Sequence, residues 1–480
     1  MSQLRKLAAL LLFLGASLSW GAISATAHWN VRTDGSNTNG GFFDASVGSP
    51  GTDYTAQAAA QIAFTDMVIG ATTTQFTSVL NAATTASPGN GIYISGGTGC
   101  TVGWYEILSQ SSGTYVMDRA MGTAASVCTG NLGGGLLTLQ TAMTNGVANN
   151  FINLKSGTYT FTTAYTIAIT GYTVVGYGAT YNDGGTRPEI LASGTNSLFV
   201  FNTAGAEFVN VNFTGNGTGG PGMYVSSNSG SAYLTLLNCY VASFGSSGTD
   251  GGGFIDQTNN SNDYFAAGLN VYFSEVTGNS AFINGAGSRA YSEYLVGNYF
   301  HGNATSLVAA GGQYGTFIIN NIFSGSTGSY EIQLQGGQIY LFGNTFYNAG
   351  TLALSVSAPY ELANNIFYGN HQAVSNSGSA PSGNYTQSTM TNAYGSNTVA
   401  NTNWPTTLGT DITLTANPFV SAYTGNFQLN TTTGGGSLLI GKATPSVFPG
   451  ASSTNNLSVG AVQPAASGGA VTVLVQGFAY

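Results

Sequence analysis

The sequence predicts an all-β solenoid, a parallel β-helix of about ten coils with a β-rich N-terminal cap and a short capping helix. Three observations carry this. The motif NNIF occurs at 320–323 and again at 364–367, with GNTF at 343–346 between them. The segments around these motifs repeat at 21 to 23 residues: EYLVGNYFHGN (293–303), TFIINNIFSGS (316–326), IYLFGNTFYNA (339–349) and YELANNIFYGN (360–370). Only 5% of the 480 residues are charged, while Gly numbers 70, Tyr 27 and Phe 26. That composition is too apolar for a disordered chain, and a fixed period of this size means stacked repeats.

Each copy has apolar residues at a spacing near two, rich in β-branched and aromatic side chains, which excludes a helix. Leu295, Ile318, Leu341 and Leu362 share one position, and Asn298, Asn321, Asn344 and Asn365 share another three residues later. Stacking coils at the ~4.8 Å spacing of a sheet brings these asparagines together as a hydrogen-bonded structural ladder. The register aromatics are Phe300, Phe323, Phe346 and Phe367. Looser copies lie upstream in FVNVNFTGN (208–216), LTLLNCYVASF (234–244) and GLNVYFSEVTGN (268–279), at spacings of about 27 and 33 counted back from Phe273.

From the N-terminus, Arg5 and Lys6 precede an apolar run over 7–18, and Ala25-Thr26-Ala27 closes it. This is the layout of a secretory signal peptide over 1–27 with cleavage before His28, and it places the protein outside the cell or on its surface. Residues 28–135 read as the β-rich cap, with strands such as GIYISGG (91–97) and GWYEILS (103–109). Within it Cys100 and Cys128 are placed to form a disulfide, which leaves Cys239 as a buried apolar residue. LLTLQTAMTNGV (136–147) opens the parallel β-helix as its capping helix, and the solenoid runs over 136–416. The stretch 245–264 lengthens one coil into a projecting loop that holds Asp256. A closing segment follows over 417–463. Last come the linker PAASGG and a strand, AVTVLVQGFAY, over 464–480.

Removing Arg5 and Lys6 leaves six basic residues against 17 acidic, a net charge of −11. The basic footprint of a nucleic-acid binder is absent, and after the leader no apolar run approaches the ~18 residues of a membrane span.

Several of these stretches resemble right-handed parallel β-helix proteins of the pectin-lyase-like superfamily. NFINLKSGTYTF (150–161) and YTVVGYGATYNDGGTRPEIL (172–191) resemble its entry coils. HWNVRTDGSNTNGG (28–41) resembles the start of exported members. NPFVSAYTGNFQLN (417–430) with LSVGAVQ (457–463) resembles their closing segment. The resemblance implies a right-handed solenoid and, for catalytic members, a lyase's basic residue with clustered calcium-binding carboxylates or a hydrolase's paired acids. The hydrolase signatures are missing here, and Arg187-Pro188 is followed by Glu189, Ile190 and Leu191 where the lyase pattern has a second arginine. No catalytic residue is carried over.

Four sets of residues stand out as candidates for function. Asp263, Arg289 and Glu293, counted from the register aromatics, fall at similar heights on adjacent coils, as an acid pair with an arginine would. His301 stands at a bend with no carboxylate assigned to it and reads as a turn residue. Asp34, Asn37 and Asn39 alternate as calcium ligands do, although a simple Asx-rich turn is the favoured explanation. Tyr294, Phe317, Tyr340 and Phe342 lie next to inward positions and so form an outer aromatic stripe suited to a glycan or to another subunit. The sequence thus favours an exported, noncatalytic adhesive, glycan-binding or structural element with no cofactor beyond that calcium loop. Its partners are a polysaccharide or further copies of itself, as in a homo-oligomer. A polysaccharide lyase or glycoside hydrolase with an unfamiliar site is the rival, and a filament subunit joined through the terminal strand is the third reading.

Overall fold

The computed structural model describes residues 23–48, 51–82, 88–169, 171–180, 183, 185–194, 196–202, 204–217, 219–225, 232–245, 253–256, 268–285, 293–309, 315–334, 338–357, 360–376, 388–402, 410–443 and 458–462. The chain divides into two compact units, 1–155 and 156–480.

In the first unit the strand His28–Val31 pairs antiparallel with Phe42–Phe43 and parallel with Phe151–Lys155. A helix, Leu139–Asn145, is capped by Thr138, whose Oγ1 accepts the Thr141 N–H, and it buries Leu139, Ala142 and Met143. Between these elements six strands close into an antiparallel barrel in the order Ile62–Ile69, Gln75–Thr77, Thr114–Met117, Gly103–Ser111, Gly91–Gly96 and Val127–Leu132. Phe64, Met67, Phe76, Tyr105, Tyr115 and Leu132 fill it. Phe76 and Tyr115 stack with ring centroids 4.6 Å apart. Cys100 and Cys128 are joined by a disulfide.

The second unit is a parallel β-helix. One coil supplies a strand to each of three sheets: Glu293–Val296 to the first, Tyr299–His301 to the second and Thr305–Ala309 to the third. Among the described residues the second sheet has 11 strands, from Thr158–Phe161 to Ile412–Leu414, and the third has 9. Rungs align residue for residue, Phe300 on Phe323, Phe346 and Phe367. These rings stack at 4.9, 5.0 and 4.7 Å in the interior.

The two residues before each IF or TF do different jobs. The first turns the chain through the left-handed region, at Asn320 (φ 53°), Asn364 (φ 60°), Gly297 (φ 68°) and Gly343 (φ 65°), where only Gly and Asn sit at little cost. The second forms the ladder. Asn298 Nδ2 donates to Asn321 Oδ1 (2.9 Å), Asn321 to Asn344 (3.1 Å), Asn344 to Asn365 (3.0 Å) and Asn365 to Asn392 (2.9 Å). Each of these four amides donates its other hydrogen to a backbone carbonyl, from Val271 O to Leu341 O. All four are essentially fully buried, and their polar atoms are satisfied as burial demands.

Register departs from the sequence expectation upstream. Phe213, Val241, Val276 and Phe300 share a column, so Phe273 is not a rung aromatic. It stands at the bend with φ 50°, its ring against Gly297, where a Cβ would approach it to 2.6 Å. The closing segment pairs Phe419–Ser421 with Asn426–Leu429. Phe419, Phe427, Leu439 and Val459 pack with Ile366 and Ala393 on the outer side of the second sheet. Among the described residues no helix is long and apolar enough to cross a membrane.

Candidate functional site

In the second sheet the middle residue of each strand points inward, so the first and third face outward. The first-position column runs Glu189, Asn212, Tyr240, Glu275, Tyr299, one rung per ~4.8 Å. From about Tyr299 onward this face meets the closing segment, and Tyr299 itself touches Phe427 edge to face at 6.0 Å.

An open cleft of about 500 Å³ lies at the other end of the column, lined by Gly185, Arg187, Asn210, Asn212, Asn238 and Tyr240. Arg187 is half-buried and held by two bend asparagines. Its Nε donates to Asn210 Oδ1 (3.2 Å) and its Nη2 to Asn238 Oδ1 (2.6 Å). Asn238 Nδ2 also donates to Asn210 Oδ1 (3.1 Å), and Asn210 Nδ2 to Gly176 O (3.0 Å). Both asparagines are left-handed, at φ 57° and 52°. The guanidinium is therefore fixed in direction by neutral amides, and among the described residues it makes no ion pair. Asn212 Oδ1 is buried and accepts no hydrogen bond among the described residues.

Further along the face, His301 Nε2 and Glu275 Oε1 are 3.0 Å apart, with His301 Nδ1 3.2 Å from Thr277 Oγ1 and the Tyr299 ring stacked on the imidazole at 4.3 Å. His301 thus has a carboxylate partner, contrary to the expectation from sequence. The two are 29% and 45% exposed, which makes this a solvent-facing pair. Burial chiefly, and the Glu275 charge second, push the Tyr240 and Tyr299 hydroxyls above the ordinary phenol value.

The residues singled out from sequence, His301 apart, do not line this face. Asp263 and Arg289 lie outside the described residues, as does the terminal strand over 470–480. Glu293 points into the solenoid and is fully buried, with Thr316 Oγ1 donating to its Oε2 (3.1 Å). Burial pushes its carboxyl up to about 7. It is out of reach of a polymer lying on the outside. Asp256 is likewise buried, in the short strand Ile255–Asp256 of the third sheet, instead of projecting.

The calcium triplet is engaged elsewhere. Arg32 holds Asp34 at 2.9 Å. Asn37 Oδ1 accepts the Leu137 and Thr138 N–H groups, and Asn39 Nδ2 donates to Ala58 O and Gly135 O. Among the described residues no group of three or more His, Cys, Asp or Glu gathers as a metal site.

Tyr294, Phe317 and Tyr340 stack on the outside of the first sheet at 4.8 and 4.6 Å, with planes within 4°. Phe317 has both faces covered by its neighbours, so the stripe presents ring edges where a sugar needs a face. Phe342 is 9% exposed and packs with Ile319 and Ala363. Cys239 is buried as a free thiol pushed up to about 12 by burial.

Sequence reasoning missed Arg187, Asn210, Asn212, Asn238, Tyr240 and Glu275. A spacing of 33 counted back from Phe273 lands on Tyr240 as an inward aromatic, and a one-residue slip puts every side chain on the wrong face. The smaller apolar residues Val241 and Val276 mark the correct column. No protein-family model matches the chain, and a search of the curated proteins finds no match.

Proposed function

We propose that this is an exported, noncatalytic member of the pectin-lyase-like superfamily that binds an extracellular glycan along the outer face of its second sheet. The observation that carries the reading is the cleft at Arg187. A pre-oriented guanidinium suits the carboxylate or hydroxyls of a sugar. The Tyr240 and Tyr299 rings offer apolar surface along the same column. The environment does not favour chemistry by the phenols: a hydroxyl pushed above its ordinary value yields less phenolate, the form a lyase base would need.

A second reading, a polysaccharide lyase or hydrolase, draws on the Glu275 and His301 pair, because a carboxylate orienting an imidazole is the arrangement of a general base. Incubating the protein with a panel of acidic and neutral polysaccharides, and scoring both retention and newly formed chain ends, separates the two. The binding reading expects retention without new ends. New ends lost in His301→Ala would replace it with the catalytic one.

A further inference from the structure

Residues 23–27 are built into the first unit. Ala27 is fully buried and Ile23 is 6% exposed. The Ser24 N–H donates to Glu106 Oε2 at 2.8 Å, and Ser24 O accepts from Asn150 Nδ2 at 2.8 Å. The Asn150 side chain in turn fixes Trp29, whose Nε1 donates to Asn150 Oδ1 at 3.0 Å. Ala27 O accepts the Phe151 N–H at 3.2 Å, and Thr26 Oγ1 donates to Asp44 Oδ2 at 2.8 Å. Glu106 is 1% exposed and its Oε1 has no hydrogen bond, so the Ser24 N–H is the one donor to this side chain among the described residues.

We propose that the exported chain keeps Ser24–Ala27 and that its leader is cut upstream of Ile23, after Gly21, instead of before His28. The inference rests on the export reading above. Signal peptidases read small residues one apart, and three such triplets follow the apolar run: Ser19-Trp20-Gly21, Ala22-Ile23-Ser24 and Ala25-Thr26-Ala27. Cutting after Ala27 removes every contact that residues 23–27 make. It strands a buried carboxyl, the Asn150 amide and the Phe151 N–H, and buried polar groups left without partners are costly. Cutting after Ser24 removes the donor to Glu106. Cutting after Gly21 spares them all.

The test is to express the full chain with its own leader in an export-competent bacterium and determine the first residue of the exported protein by intact mass and N-terminal sequencing. Ala22 is expected, and any first residue up to Ile23 upholds retention of the segment. A chain beginning at Ala25 or His28 overturns the inference while leaving export intact. A chain held inside the cell that still begins at Met1 overturns both. Independently of any peptidase, chains made to begin at Ala22 and at His28 should differ in melting temperature by several degrees, with Glu106→Gln narrowing the gap; equal melting overturns the structural role.

Discussion

Replacing Asn321 with alanine should be among the most damaging single changes in the solenoid. The side chain is fully buried and makes four hydrogen bonds: Nδ2 to Leu295 O (2.7 Å) and Asn344 Oδ1 (3.1 Å), and Oδ1 from the N–H (2.9 Å) and Nδ2 (2.9 Å) of Asn298. At about 1 kcal/mol net per bond the loss is about 4 kcal/mol. Two hydrogens of Asn298 are also left unpaired in the interior, on its backbone N and its Nδ2, which raises the total toward ~6 kcal/mol, against about 1 kcal/mol for an average substitution. The adjacent Asn320 provides the contrast. Its task is the left-handed turn at φ 53°, which glycine performs in two other copies, so Asn320→Gly should change stability by less than about 1 kcal/mol. Denaturant unfolding, read alongside hydrogen exchange at Leu295 and Asn298 because solenoids can open locally, measures both. If Asn321→Ala cost less than about 1 kcal/mol, or no more than Asn320→Gly, the ladder would not be holding the coils together.

Two further consequences concern stability. Burial raises Glu106, Glu293 and Glu331 to about 7, above their unfolded value of about 4.5. Their contribution is therefore complete below about pH 4.5 and is lost as pH climbs to about 7, each by up to ~3 kcal/mol. Melting temperature should fall across that window, with Glu331→Gln making it fall less, and a flat or rising profile would refute the assignment. Reducing the Cys100 to Cys128 bridge, which spans 28 residues, should cost the barrel about 3.5 kcal/mol by loop entropy. Unfolding with and without a reductant checks this, and coincident curves would contradict it.

The fold was largely legible because repetition multiplies a weak signal. One Asn-x-Phe says little, but four copies at 21 to 23 residues fix the strand, the bend and the ladder together. The barrel was less so. The strands around Ile92 and Tyr105 were readable locally, but closure requires Ile62–Ile69 to pair with Val127–Leu132, a long-range match that no local pattern announces. The site was hidden by register. Where coils lengthen to 28 and 35 residues, between Phe213, Val241 and Val276, the rung residue is a valine and a conspicuous aromatic nearby draws the alignment off. That error turned Tyr240 inward and hid the partnership of Glu275 with His301. Buried acids misled for a related reason: Glu293 occupies an inward position otherwise held by Leu269, Thr316 and Ile339, and a carboxylate inside a solenoid breaks the usual pattern of charge on the surface.

The most direct test of the glycan-binding account compares the wild-type protein with Arg187→Ala and Tyr240→Ala for retention on whichever polysaccharide binds it. The cleft predicts a loss of affinity of about fivefold to a hundredfold for each, as for losing a contact of ~1–3 kcal/mol, with the β-sheet circular dichroism of both variants that of the wild type. Undiminished retention by both variants would place the glycan elsewhere and contradict the account.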